Sequence, residues 1–301
     1  MTLMTERHHV GRQRPAAWIA TRLALVLALA FLALCVAWRV DGGTWERVET
    51  PSMGTVAPVG TLLWVRPVDF DSLRPGDFIT FRPPGSTGQT YSHRVLARQP
   101  DGRITTKGVL SSPDPWQLGP HDVVGAVRMR WPGVGWLVAA APVLLAGGFL
   151  ALLVTRFARP RWRAPLVLIV LAVALSAVIT WYRPLVNAQQ LAFAPAASGG
   201  ADATYVGTGL LPIRLTAHDG PSVVMRAGQV GTVHVDSADS AGKLRVTLAP
   251  AVPLWWWVVL VGGCFVPAAA SSTSFARRRP SPAHAVPGGH DHGDERRDRA
   301  A

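Results

Sequence analysis

The chain has 301 residues, of which 49% are hydrophobic and 16% charged, and it carries a formal net charge of +12 with two cysteines. These cysteines, Cys35 and Cys264, each lie in a different apolar segment, which excludes a disulfide-based scaffold. Arginines cluster beside the apolar segments, whereas acids and bases nearly balance in the segment after the first one. The positive charge therefore does not indicate nucleic-acid binding.

Four apolar segments approach the length of about 20 residues that a membrane-crossing helix needs. They are 18–39, 136–155, 164–182 and 253–270. The first follows a basic amino terminus and lacks a well-placed small-residue cleavage site. We therefore expect an uncleaved signal anchor.

Arginine clusters precede the first segment, link the second to the third and follow the fourth. If the four segments alternate in direction, all these clusters fall on one side, which the positive-inside rule identifies as the cytoplasm. Cytoplasmic positions are thus predicted for 1–22, 156–163 and 271–301, and outer positions for 40–135 and 183–252. The last of the cytoplasmic parts is rich in Pro, Gly, Arg and Asp and is expected to be disordered.

The first outer segment, 40–135, changes from helical to extended patterning. Short β-branched or aromatic runs alternate with Gly and Pro turns, which is typical of a compact all-β domain. The predicted strands are Thr61–Val65, Phe78–Phe81, His93–Ala97, Arg103–Thr106 and Val123–Met129.

The second outer segment, 183–252, shows weaker alternation and predicts a smaller β-rich domain. Its small-residue stretch 194–203 is expected to be a loop, and its histidines His218 and His234 to stand alone. The predicted strands are Leu211–Thr216, Ser222–Arg226, Thr232–Asp236 and Lys243–Leu248. The predicted fold class is a membrane protein with a small all-β catalytic domain, four transmembrane helices and a second small β-rich outer domain.

The candidate catalytic residues are Ser52, just beyond the first apolar segment, and His93, some forty residues later. A serine hydroxyl becomes a nucleophile only when a base takes its proton, and histidine is the side chain that titrates nearest neutral pH. The pair indicates a hydrolase at a membrane surface. His290-Asp291-His292 in the tail has no rigid frame to hold a metal, so we expect neither metal nor cofactor.

Five motifs then occur in order. They are Ser52-Met53 followed by Pro58-Val59-Gly60, then Gly76-Asp77-Phe78-Ile79-Thr80-Phe81, His93-Arg94-Val95, Thr106-Lys107-Gly108 and Val123-Val124-Gly125. In this order, after a signal anchor, they resemble type I signal peptidase, in the branch that uses a Ser/His pair.

The resemblance implies a role for each matching residue. Ser52 would be the nucleophile, His93 the general base and Asp114 the acid that orients the imidazole. The oxyanion would be held by the backbone amide of Ser52 and by the hydroxyl of Thr50.

The chain also departs from the family pattern. Pro51 and Thr55 replace the usual Gly before the nucleophile and Pro after it, and Val109-Leu110-Ser111 replaces the usual Asp-Asn-Asn. Because of these changes, Asp122 remains an alternative to Asp114 as the acid that orients the imidazole.

A second branch of the family uses a lysine base, since desolvation lowers the pKa of a buried lysine. Lys107 and Lys243 are the lysines of this chain, and His93 occupies the position of that base. The Ser/His branch is therefore favoured.

The resemblance implies a multi-pass signal peptidase I of the cytoplasmic membrane, with its catalytic domain on the extracytoplasmic face. Its partners would be exported precursors bearing signal peptides, the lipid bilayer and the secretion translocon. The alternative is a catalytically inactive relative that acts as a membrane scaffold or assembly factor through its outer β domains.

Overall fold

The structure is a computed structural model that describes residues 14–86, 88–196, 200–217, 220–236, 245–258 and 262. The amino-terminal residues 1–13, Cys264, His218 and the tail 271–301 with its His290-Asp291-His292 motif lie outside the described residues. The helices are α1 Arg14–Val40, α2 Val134–Phe157 and α3 Pro160–Tyr182. Strands β1 to β6 are Thr44–Arg47, Leu62–Arg66, Phe78–Phe81, Tyr91–Arg98, Ile104–Lys107 and Val123–Trp131. Strands β7 to β12 are Ala188–Pro195, Ala201–Gly207, Ile213–Ala217, Ser222–Met225, Val230–Val235 and Val246–Pro250.

Two helices among the described residues, α2 and α3, are long and apolar enough to cross a membrane. Their apolar side chains are largely exposed, as at Leu152 and Trp181, so these helices are not the buried core of a soluble domain. In α1 the apolar helical stretch is shorter and covers Leu25–Val40. The fourth predicted segment, 253–270, is helical at 254–258 and lies mostly outside the described residues. The prediction of four spanning helices thus reduces to two in the described part of the chain.

Helices α2 and α3 form a tightly packed hairpin. Pro160 occupies the first turn of α3, where its missing N–H costs no helical hydrogen bond. The two backbones approach so closely that a methyl group on Gly147 of α2 would lie 2.6 Å from Cβ of Ala174 in α3. This contact between small residues fixes the spacing of the pair.

The predicted first outer domain is a six-stranded antiparallel sheet with the strand order β1-β2-β6-β3-β4-β5. Its inward-facing residues form two apolar clusters, one around Phe81 and the other around Met53. Burial of a side chain of this size contributes about 1.5–3 kcal/mol relative to exposure. These clusters stabilise the strands that carry the residues of the candidate site.

Tryptophans join α1 to this sheet. Trp38 near the end of α1 lies 5.0 Å from Trp64 on β2, measured between ring centroids, and Trp64 also contacts Trp45 and Trp131. Trp131 is partly exposed, whereas Trp136 is buried against Gly60. The cluster holds the β domain at the end of the apolar helix.

The predicted second outer domain is a small β-sandwich. One sheet has the order β10-β9-β12 and the other the order β11-β8-β7. Ile213, Leu215 and Met225 from the first sheet share one buried cluster with Val233 and Val235 from the second, so the two sheets pack face to face.

The expectation of a loop at 194–203 was wrong at both ends of the stretch. Strand β7 runs to Pro195 and β8 begins at Ala201, and these two residues are paired. Ala201 and Ala203 of β8 are buried. Alanine has a low strand propensity and gives no sequence signal for such a strand.

Candidate active site

Ser52 lies on a short 3₁₀ segment, Pro51–Val56, between β1 and β2. Met53 points the opposite way and is 1% exposed in the apolar cluster, while Ser52 remains half-buried at the surface. Gly54 follows with φ +51° and ψ −132°, a conformation that glycine adopts without a steric penalty. The buried methionine and the glycine turn together direct the serine hydroxyl outward.

His93 lies on β4 and is 4% exposed. Its Nε2 lies 2.9 Å from Oγ of Ser52, and its Nδ1 lies 2.7 Å from Oδ2 of Asp114. A carboxylate accepts only, so Nδ1 is the nitrogen that carries the proton in neutral His93. Nε2 then has a free lone pair facing the serine hydroxyl, as a general base requires.

Asp114 is held in place by β5. The Thr106 hydroxyl donates to Oδ2 of Asp114 at 2.6 Å, and the Asp114 amide donates to the Thr106 carbonyl at 2.9 Å. Both partners of His93 are therefore fixed by secondary structure: the serine by its turn and the carboxylate by pairing with a strand.

Asp122, the alternative acid, is bound elsewhere. Its Oδ2 accepts a hydrogen bond from the amide of Gly119 at 2.7 Å and so closes its own loop. Among the described residues, the carboxylate that contacts His93 belongs to Asp114.

Lys107, the alternative base, ends β5 one position after Thr106. Successive residues of a strand face opposite sides, so the buried Thr106 points toward Asp114 and Lys107 points into solvent. Among the described residues, the side-chain base that contacts the Ser52 hydroxyl belongs to His93.

Thr50 places a second hydroxyl next to Ser52, with its Oγ1 3.3 Å from Oγ of Ser52. This residue and the Ser52 amide are the two groups expected to stabilise an oxyanion. Thr50 is exposed, so a bound substrate can reach its hydroxyl.

A groove with a volume of about 420 Å³ opens beside Ser52 and His93. Its two walls are the segments 46–53 and 88–93, and Glu46 joins them by accepting a hydrogen bond from the Thr90 hydroxyl at 3.0 Å. The sequence pattern did not reveal β1 as a wall of this groove, because three of its four residues are polar and half-buried, and the strand shows little alternation.

Ser111 was also missed. Its hydroxyl is buried without a hydrogen-bond partner among the described residues, on the loop whose Leu110 amide donates to the Ser52 carbonyl at 2.8 Å. A buried hydroxyl without a partner beside a nucleophile is a candidate contact for a substrate or a water molecule.

His234 of the β-sandwich does not stand alone, contrary to the prediction. Its Nδ1 lies 2.7 Å from Asp202 and its Nε2 lies 2.9 Å from Asp236. The hydrogen bond to Asp202, followed by the negative charge of Asp236, raises the pKa of His234 above its ordinary value of 6.5.

This raised pKa predicts a stability that depends on pH. Because folding favours the protonated imidazole, the contribution is fully present below a pH of about 6.5 and is lost as the pH rises through the higher folded-state pKa. We expect the melting temperature of the full chain to exceed that of His234→Gln at acidic pH, with the difference shrinking toward alkaline pH. Asp202→Asn should weaken the same dependence, and a difference that grows with pH would contradict the assignment.

Comparison with models of known protein families finds no matching family, and comparison with curated proteins finds no match. A function proposed for this chain therefore rests on its own residues and their geometry. The contacts that join Ser52, His93 and Asp114 are the most informative part of that geometry.

Proposed function

We propose that this protein is a membrane-bound serine endopeptidase that removes signal peptides from exported precursors. The observation that supports the proposal is the hydrogen-bonded series Ser52–His93–Asp114, in which Ser52 and His93 line a groove. Ser52 and His93 occupy motifs that resemble type I signal peptidase with a Ser/His pair, and Asp114 follows the Thr106-Lys107-Gly108 motif.

Catalysis would begin when His93 Nε2 takes the Ser52 proton while Oγ bonds to the peptide carbonyl carbon. The carbonyl oxygen becomes an oxyanion, stabilised by the Ser52 amide and the Thr50 hydroxyl. The imidazolium then gives its proton to the leaving amine as the C–N bond breaks. Water attacks the acyl-serine by the same route, with His93 accepting its proton and returning it to Ser52.

Asp114 would stabilise the imidazolium and hold the tautomer that leaves Nε2 free. Thr106→Val, which removes the hydroxyl bonded to Asp114 at nearly constant volume, should lower kcat about 10- to 100-fold. The matched control is Thr105→Val, because the Thr105 hydroxyl bonds to the Ala97 carbonyl. Steady-state cleavage rates of the two variants measure the effect, and equal rates would contradict a positioning role for Thr106.

The apolar helices would confine enzyme and substrate to one plane. Helices α2 and α3 expose apolar side chains along lengths that can cross a bilayer, and the arginines of 156–163 lie where α2 ends and α3 begins. By the positive-inside rule this link is cytoplasmic and the two β domains are outside. A precursor anchored by its own signal segment would present its cleavage site near the surface where Ser52 lies, which raises the effective concentration of both.

The substrate would lie in the groove as an extended peptide. The resemblance to signal peptidase implies shallow pockets that accept small substrate residues just before the cleaved peptide bond. The test is cleavage of a purified precursor by the full chain in lipid vesicles, with wild type compared with Ser52→Ala. A scaffold without catalytic activity would leave both proteins inactive.

A further inference from the structure

The second outer domain touches the turn that carries the nucleophile. Gly228, between β10 and β11, is buried against Gly54 of the 3₁₀ segment. A methyl group on Gly228 would lie 2.5 Å from the Gly54 carbonyl carbon, closer still to its oxygen, and 2.7 Å from the Thr55 nitrogen. Backbone meets backbone here, with no flexible side chain between the two domains to absorb a change.

The Gly228 side of this contact is rigid. Gly228 has φ +75°, its amide donates to the Gly207 carbonyl at 2.7 Å, and the Gly207 amide donates to the Gln229 carbonyl at 3.0 Å. The Gln229 side chain also accepts from the Arg226 amide at 2.8 Å. These bonds fix the turn Arg226–Gln229 to β8.

The Gly54 side is enclosed as well. A methyl group on Gly54 would lie 3.2 Å from Cγ of Leu110 and 3.4 Å from the Gly228 carbonyl oxygen. The nucleophile turn is therefore held between the Leu110 loop of its own domain and the turn of the other domain.

A second contact fixes the position of the sandwich. Leu210 of the second domain would lie 3.0 Å from a methyl group on Gly133, the residue that precedes α2. Two separate points of attachment prevent the sandwich from pivoting about the Gly228 contact alone.

We infer that the turn Arg226–Gln229 of the second outer domain positions the Ser52 nucleophile. By bracing Gly54, two residues after Ser52, Gly228 holds the serine hydroxyl at hydrogen-bond distance from His93. Gly228 is a positioning residue, since it contacts the nucleophile turn and none of the reacting atoms. This inference rests on the proposed peptidase activity and gives the 183–252 domain a role in it.

The test compares glycine variants of the full-length protein. Gly228→Ala inserts a methyl group into the contact, and a displacement of about 1 Å at a catalytic group can cost on the order of 100-fold in rate. We expect kcat to fall about 10- to 100-fold with KM unchanged. The rate at which a fluorophosphonate probe labels Ser52 should fall by a similar factor, because that reaction needs the activated serine and no precursor.

Two controls separate positioning from loss of stability. Gly102→Ala carries the same backbone strain, at φ +85°, with open space around the added methyl group, and should retain the wild-type kcat. Gly231→Ala places its methyl group against Met225 and, at 3.0 Å, Val223 inside the sandwich. It should lower the melting temperature while leaving kcat near wild type below the unfolding transition.

A further variant, Gln229→Ala, adds no atoms and loosens the turn by removing the bond to the Arg226 amide. It should lower kcat several-fold with unchanged KM, which keeps the inference testable if Gly228→Ala does not fold. If the wild type is active and Gly228→Ala has the same kcat as Gly102→Ala, this inference alone is overturned. If Gly228→Ala does not fold, a wild-type kcat of Gln229→Ala would overturn it in the same way. A wild type that neither cleaves precursor nor labels at Ser52 would overturn the proposed peptidase and this inference with it.

Discussion

Ser52→Ala is expected to abolish precursor cleavage, with kcat falling by a factor on the order of 10⁶ if the serine is the nucleophile. The variant removes the atom that lies 2.9 Å from His93 Nε2, and an alanine methyl group can neither donate a proton nor form an acyl intermediate. The measurement is the rate of precursor cleavage by the full chain in lipid vesicles, followed by electrophoresis.

The matched control for this substitution is Ser72→Ala. Ser72 is an exposed serine of the same domain, and its hydroxyl donates to the Asp69 carbonyl away from the groove. The Ser72→Ala protein should cleave the precursor at the wild-type rate. Ser72→Ala and Ser52→Ala should both have the melting temperature of the wild type. Cleavage by Ser52→Ala within tenfold of wild type would exclude Ser52 as the nucleophile.

Asp114→Asn is expected to lower kcat by about 10⁴-fold with little loss of stability. The Oδ2 atom of Asp114 accepts from both His93 Nδ1 and the Thr106 hydroxyl, and the neutral amide removes the negative charge that would stabilise the imidazolium. With the amide NH₂ at the Oδ2 position, that group donates to His93 Nδ1, and the tautomer with a proton on Nε2 cannot accept the Ser52 proton.

Asp122→Asn provides the paired comparison, because Asp122 was the other candidate acid in the sequence. Its oxygen can still accept from the Gly119 amide, so the loop should persist and kcat should stay within a few-fold of wild type. Single-turnover rates for the two asparagine variants decide the assignment. Equal losses in both, or a loss of less than tenfold in Asp114→Asn, would contradict the role given to Asp114.

The strands of the first domain could largely be predicted from sequence. Strands β2 to β6 fall where β-branched and aromatic residues alternate between Gly and Pro turns, because each has one face against a core. Strand β1 gave no such pattern, since its residues Thr44–Arg47 are at least partly exposed. The strand ends within 194–203 were missed because alanine has a low strand propensity, although Ala201 and Ala203 are buried.

The residues of the candidate site, like the strands, could be predicted from sequence only in part. Motif order alone selected Ser52 and His93, because the hydroxyl and the imidazole are the groups that the chemistry requires. It could not choose between Asp114 and Asp122, which both follow the same motif. The choice comes from the backbone bond between Asp114 and Thr106, which brings one carboxylate beside the imidazole.

Hydropathy and local patterning therefore determined the apolar helices, most of the strands and the candidate residues Ser52 and His93, because these depend on residues close together in the chain. Tertiary structure decided which acid meets the histidine and which parts of the chain form the walls of the groove. It also placed Gly228 against Gly54, two residues far apart in the sequence. Contacts of this kind depend on strand pairing and domain packing, and glycines that meet backbone to backbone leave no pattern in the sequence by which the contact could be predicted.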